Sequence, residues 1–261
     1  MDAVKIPGPL WGVYSVWARH AAVFRRTWMV SILPPITEAP LYLVSFGLGF
    51  SGAVKEITLG GRPVSYMQFI APAMIAIGIC FQSFFEAAYG SFIRFRLQRT
   101  WNGLLTAPLG LPQLFFGELF WAMTRGLLAG TVTGIVTMLM GLVTPLQFVA
   151  MIPYMILGAA FFSSFGILMA GTVKTIDQIN VPVFLFILPM FTLSGTFFPR
   201  SNLPEPISTF AGFLPLAQLV DLSRIPWSAH PGASLKIAAL LIWIAACTTG
   251  AYYKIRPTVF R

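Results

Sequence analysis

Arg94, Arg96 and Arg99 fall within six residues of one another, and Trp101, Asn102 and Leu104 follow before apolar character returns. Guanidinium groups at that density beside an indole suit an aqueous boundary, where they face lipid headgroups or a soluble partner. Three acids stand in or beside apolar runs: Glu38, Glu86 and Glu118. Left charged at the hydrocarbon centre, each would cost a few kcal/mol, so they belong near an interface, in pairs, or protonated. Glu118 and Arg125 lie seven residues apart, two turns along one helix face, so Glu86, Glu118 and Arg125 are expected to form an ion-pair network at one membrane end. A proton relay through Glu38 or Glu86 is the competing use of the same acids.

Much other chemistry is excluded. His20 and His230 are far apart and fall on opposite sides of the expected membrane, which argues against a histidine metal site or a His-based triad. Cys80 and Cys247 sit inside apolar runs and give neither a disulfide framework nor metal spacing. No GxxxxGK[ST] occurs, so this chain has no loop to cradle ATP phosphates. Gly47, Gly49 and Gly52 do spell GxGxxG, but no strand precedes them and no crossover helix follows; they end an apolar run, where they allow close helix approach or a break. No serine or threonine has a recognisable base nearby. The chain is therefore not expected to be an enzyme, and energy for any transport must come from another protein or an ion gradient.

These residues need a scaffold, and composition identifies it. The chain has 261 residues, 57% hydrophobic and 10% charged, with a mean hydropathy of +0.79, far above a soluble globular domain. An all-α integral membrane protein is expected. The formal charge of +9 raises nucleic-acid binding, but the basic residues are spread over loops between apolar runs, with no patch interleaved with exposed aromatics.

A bilayer core of about 30 Å takes roughly 20 helical residues. Six runs qualify: Val30 to Phe50, Met67 to Tyr89, Phe120 to Val143, Leu146 to Gly171, Val181 to Phe198 and Leu235 to Tyr253. An even number puts both termini on one side. Lys5, Arg19, Arg25, Arg26, Arg94, Arg96, Arg99, Arg125, Lys174, Lys254, Arg256 and Arg261 share that side; Lys55, Arg62, Arg200, Arg224 and Lys236 lie opposite. The excess of positive charge places both ends, and the arginine island, in the cytoplasm.

Residues 1–28 read as an amphipathic interfacial helix and 29–261 as a six-helix transmembrane domain. Leu10, Trp11, Tyr14, Trp17, Ala21, Phe24 and Trp28 share one helical side, opposite Gly12, Ser15, Arg19 and Arg26. A helix packed on a soluble partner is the other reading. Pro34, Pro35 and Pro40 predict a kink or an unwound turn. Gly126, Gly130 and Gly134 make two GxxxG steps, which favour backbone contact with a neighbouring helix of unspecified identity. A surface helix over about 92–106 would put Phe95, Arg99 and Asn102 on one face and Leu97, Trp101 and Leu104 on another. From residues alone, this segment is either a docking element or a loop whose arginines only fix topology. Between the fifth and sixth runs, prolines break residues 199–224 into pieces; Ile207 to Phe213 is too short to cross, so a pair of re-entrant or interfacial half-helices is expected.

Two stretches carry a family resemblance over essentially the whole chain. FEAAYGSFIRFRLQRTWNGLLTAPLGLPQLFFGELFWA resembles the coupling segment of type-2 ATP-binding-cassette permeases, above all the nodulation lipo-oligosaccharide exporter branch. The stretch with Gly195, Phe197, Phe198, Pro199, Leu203, Pro204, Pro215 and Leu216 is similar to that family's GxFFP…LP…PL signature. The resemblance implies a cytoplasmic coupling helix, with Arg94, Arg96, Arg99, Trp101, Asn102 and Leu104 facing an ATPase subunit and Trp101 as the docking knob. It implies outer re-entrant helices capping a path with Phe197, Phe198, Pro199, Leu203, Pro204 and Pro215. It implies a bacterial inner-membrane homodimer with two copies of a separate ATPase that binds ATP and Mg; no cofactor is expected in this chain. The cargo implied is an amphiphilic glycolipid or lipo-oligosaccharide, with drugs or other lipids as alternatives. Tyr42, Phe46, Phe81, Phe85, Phe191 and Phe197 would line a path that stacks on sugars, or else pack the core or face lipid. An ion-coupled secondary transporter, and an intramembrane transferase acting on a lipid-linked sugar, are the competing functions; the transferase would need clustered acids or histidines facing a lipid cavity, and the sequence has no such cluster.

Overall fold

In a computed structural model the chain is described over residues 8–51, 57–59, 62–226 and 232–259. Lys5, Gly52, Lys55, His230 and Arg261 lie outside those residues. The architecture is all-α: among the described residues six helices are long and apolar enough to cross a membrane. They are α1 (Pro9–Ser51), α2 (Tyr66–Leu97), α4 (Leu111–Leu139), α5 (Pro145–Thr172), α6 (Ile176–Leu193) and α9 (Ala233–Val259). Shorter helices α3 (Thr100–Leu104), α7 (Glu205–Phe213) and α8 (Pro215–Ser223) complete the set. A hairpin of β1 (Ile57–Leu59) and β2 (Arg62–Val64), in register Ile57 to Val64, joins the first two spans.

Local chemistry sets the boundaries. Ser65 and Gln68 form a capping box at the start of α2, and Thr144 and Gln147 another at the start of α5, just ahead of Pro145 at the first helical position. At the end of α4, Gly141 takes φ 72° while its N–H donates to Met138 and that of Leu142 to Thr137. This Schellman closure satisfies the last carbonyls before a short turn into α5.

Two expectations about α1 bear on its continuity. The helix runs unbroken for 43 residues, because no glycine or proline interrupts residues 13–33 to separate an interfacial piece from a span. At 1.5 Å per residue it reaches ~65 Å, longer than a bilayer is thick. The helix also continues through Pro34, Pro35 and Pro40, so of the kink or unwound turn expected there, the unwound turn does not form. The face that packs on α4 is set by small and polar residues. Gly12, Val16 and His20 are buried, whereas Leu10, Trp11, Tyr14 and Trp28 point outward. Gly12 and Gly117 supply the close approach between α1 and α4: a Cβ on Gly117 would overlap Val16, and one on Gly12 would overlap Gln113.

Inside the bundle α2, α4 and α5 form the centre. The apolar window of α2 is 72% buried, against 12% for α1 and 11% for α9, so the outer helices present apolar surface outward. The GxxxG neighbours lie within this chain. A side chain on Gly126 would strike Ser83 of α2, on Gly130 Ile79 of α2, and on Gly134 Phe148 of α5. Several span ends differ from expectation: the second runs on to Leu97, the third begins at Leu111, and the fifth covers Ile176–Leu193, where Ser194 caps it and Gly195 turns the chain at φ 75°.

Candidate functional site

The segment expected to be one helix over 92–106 is two pieces. α2 extends to Leu97 through two wider turns, at Glu86–Gly90 and Ile93–Leu97. Arg99 then adopts the left-handed conformation, φ 49° and ψ 29°, and α3 starts in a new direction. A non-glycine residue there is uncommon, and it re-aims the chain in a single step.

That turn regroups the expected faces: Arg99 and Asn102 stay together on the outside and Trp101 and Leu104 on the inside, but Phe95 is buried and Leu97 exposed. Trp101, expected as an exposed knob, is wholly buried, while Leu97, expected beside it, is 62% exposed. The indole turns inward because an acceptor waits there: its Nε1–H donates to Glu118 Oε1 at 3.1 Å. Arg99 and Asn102 are exposed, Leu104 is half-buried, and Arg96 folds its guanidinium over Phe92 and Phe95. The outward surface of the turn is Leu97, Gln98, Arg99, Asn102, Gly103 and Thr106.

Glu118, 1% exposed on α4, is the hub beneath that turn. Arg94 donates to it through Nε and Nη2 at 2.8 to 3.1 Å, and through Nη1 to Glu86 at 3.0 Å. His20 Nε2 lies 3.1 Å from Glu118 Oε1, and Ser91 Oγ donates at 3.3 Å. Because a carboxylate only accepts, that histidine nitrogen carries the proton. Glu86 also accepts from Trp121 Nε1 at 2.9 Å and pairs with Arg125 Nε at 3.4 Å.

The Glu86, Glu118 and Arg125 grouping thus forms, but the expected Glu118–Arg125 pair does not. Seven residues separate the two by ~10 Å along the axis, whereas neighbours on a helix surface are three or four apart. Arg94 and His20 hold Glu118 instead. Neither was read as a partner from sequence: Arg94 is eight residues from Glu86 and 24 from Glu118, and His20 is 98 from Glu118.

The six expected aromatics come together as one chain of rings. Phe85 stacks on Phe81 at 5.9 Å, Phe81 meets Phe191 at 5.6 Å, and Phe191 meets Phe197 at 5.2 Å. Phe197 reaches Phe46 at 4.8 Å, which stacks on Tyr42 at 6.0 Å. Phe85 is exposed and the others half-buried, so the ladder is neither interior packing nor open surface. Beside it, Glu38, Tyr42, Gln82 and Thr133 line a cavity of about 40 Å³ between α1, α2 and α4.

At the other end of the bundle, α7 and α8 make the expected helical pair. Pro204 precedes α7, and buried Pro215 opens α8, every residue of which is buried. Pro199 and Leu203 are half-buried, and Phe198 is 37% exposed. Tyr66 Oη donates to the Phe197 carbonyl at 2.8 Å. Arg224, over the Phe69 ring at 3.8 Å, donates to the carbonyls of Phe69, Gly195 and Thr196. Its burial, opposed by Asp221, pulls the guanidinium down to about 9, which leaves it a cation at neutral pH. Asp221 in turn accepts from Arg200 and Lys236. Spans two, five and six are clasped at one point by these contacts.

A family model described as ABC-2 type transporter matches residues 12–226. Nodulation protein J of Bradyrhizobium diazoefficiens is 34% identical over 248 residues, 92% of this chain and 91% of that protein. Nodulation protein J of Rhizobium leguminosarum bv. trifolii is 33% identical over 93% of this chain and 92% of its own. The inner membrane transport permease YadH of Escherichia coli is 31% identical over 73% of this chain and 72% of its own.

Proposed function

The chain belongs to the ABC-2 type transporter family, and on that footing we propose that it is the transmembrane subunit of an ATP-driven exporter whose ATPase is a separate protein. Two copies form the path, two ATPase subunits bind ATP and Mg, and the cargo is an amphiphilic glycolipid of lipo-oligosaccharide type. The assembly sits in a bacterial inner membrane with both termini of this chain in the cytoplasm, in keeping with the excess of Lys and Arg on that side.

One observation carries the reading. The exposed turn at Leu97 to Thr106 is tied through Trp101 and Arg94 to a single buried carboxylate on the third span. A push on that turn by a soluble motor is delivered to α2 and α4 together, because the turn cannot move without moving Glu118. Arg99, Asn102 and Leu97 are the docking residues; Arg94 and Trp101 transmit. The ladder from Tyr42 to Phe85 offers ring faces along the path to sugars, and the clasp at Asp221 and Arg224 holds the outer cap around Phe197, Phe198 and Pro199.

The test is reconstitution. Proteoliposomes holding this chain and the ATPase that co-purifies with it are expected to move lipo-oligosaccharide only with ATP. Uphill movement by the chain alone, following pH, would instead make Glu38 and its cavity an ion site. In the same vesicles Phe191→Ala is expected to lower transport roughly twofold to tenfold, the worth of one aromatic contact. Unchanged transport would return the ladder to a packing role.

A further inference from the structure

A cleft of about 310 Å³ opens between α1 and the junction of α2 with α4. Its α1 wall is one helical face, Arg19, His20, Val23, Phe24, Thr27 and Ser31; across it stand Glu86, Arg94, Gln98, Trp121 and Arg125. We propose that this cleft binds a phosphate ester anion, and that its resident ligand is the headgroup of an anionic phospholipid.

Charge points to an anion. Arg19, Arg94 and Arg125 bring three guanidinium groups against the two carboxylates of Glu86 and Glu118, which leaves one positive charge uncompensated even before His20 is counted. The pairing is uneven. Arg94 is saturated by both acids, whereas Arg125, 8% exposed, meets Glu86 only at 3.4 Å, and its Nη1 is buried with no hydrogen-bond partner. A buried unpaired donor on a cation is expensive, and an oxyanion is the group that relieves it. Arg19, exposed at the mouth, has no ion pair or hydrogen bond among the described residues. The Phe24 ring lies against the Arg125 guanidinium at 4.9 Å and forms that side of the cleft.

Surroundings favour lipid over a soluble ester. Along α1 past the mouth, Arg25 and Arg26 are exposed and are followed by exposed Trp28, Met29, Val30 and Leu33, so basic residues suited to headgroups precede apolar surface open to acyl chains. The ligand would brace α1 against the same helices that carry the Glu118 hub. The inference does not depend on the ATPase partner, so it stands or falls separately from the proposed export function.

The full chain, purified in maltoside micelles, is titrated with phosphatidylglycerol, phosphatidylcholine and inorganic phosphate, and binding is read by native mass spectrometry. Phosphatidylglycerol is expected to bind at one site at least tenfold more tightly than phosphatidylcholine. Arg19→Gln, a surface change that leaves the fold intact, is expected to weaken it about fivefold, the worth of one basic residue near a membrane surface. Arg125→Gln should weaken it more, with its melting curve as the control for folding. Saturation by inorganic phosphate, with no preference for the lipid, would keep the anion site but assign it to a soluble ester. Equal binding of both lipids, or no loss in Arg19→Gln, overturns the proposal.

Discussion

Glu118→Gln is expected to lower the thermal midpoint of the full chain by on the order of 10 °C and to abolish stimulation of the ATPase by substrate. The substitution keeps shape but removes the charge that faces Arg94 and His20 within 3.1 Å. Replacing a buried ion pair with apolar groups is often neutral, but deleting one partner strands the other and costs about 3–5 kcal/mol. At about 2–4 °C per kcal/mol for a chain of this size, that gives the stated shift. Arg94→Gln added to Glu118→Gln should cost less than the two single changes together, a coupling of about 0.5–3 kcal/mol, because both remove the same contact. Differential scanning fluorimetry on the four proteins measures the cycle, and a midpoint for Glu118→Gln within about 1 °C of the parent protein would remove Glu118 as the hub.

Trp101 separates transmission from docking. If it were a knob, Trp101→Ala would weaken ATPase binding; as an internal strut, it should leave affinity nearly unchanged while cutting substrate-stimulated hydrolysis at least tenfold. The residue is fully buried against Phe95, at 5.7 Å between rings, and donates to Glu118. Truncating a buried tryptophan costs about 3–5 kcal/mol, which is enough to free α3 from α4. Trp101→Phe keeps most of the volume and loses only the hydrogen bond, roughly 1.5–3 kcal/mol for one to a charged acceptor, so part of the coupling should survive. Asn102→Ala and Leu97→Ala, on the outward surface, should do the reverse: weaker association and normal coupling once bound. Pull-down affinity and ATPase rate, measured on all four variants, distinguish the two roles. Loss of affinity in Trp101→Ala with coupling intact would sink the strut.

Hydropathy alone was enough for the membrane class, the number of spans and the break at the prolines after the fifth, since burial of apolar residues in lipid depends on run length and not on partners. Periodicity served less well. The α1 face read from its tryptophans is divided, with Trp11, Tyr14 and Trp28 outward and Trp17 and Phe24 against Trp121 of α4, because small residues, Gly12 and Gly117, decide where two helices meet. In the segment after α2, a regular period was carried across Arg99, whose left-handed backbone has no signature in residue type.

Local order along the chain therefore determined that this is a six-span helical bundle with a basic turn, capped helices, and acids near one end. Which groups meet was decided only by tertiary structure. Glu118 takes Arg94, His20 and Trp101 from two other helices and a short third one, while Arg125 on its own helix goes elsewhere. The reason is that a charge excluded from water needs donors at about 3 Å in directions its own helix does not offer, and these are supplied only by neighbours distant in sequence.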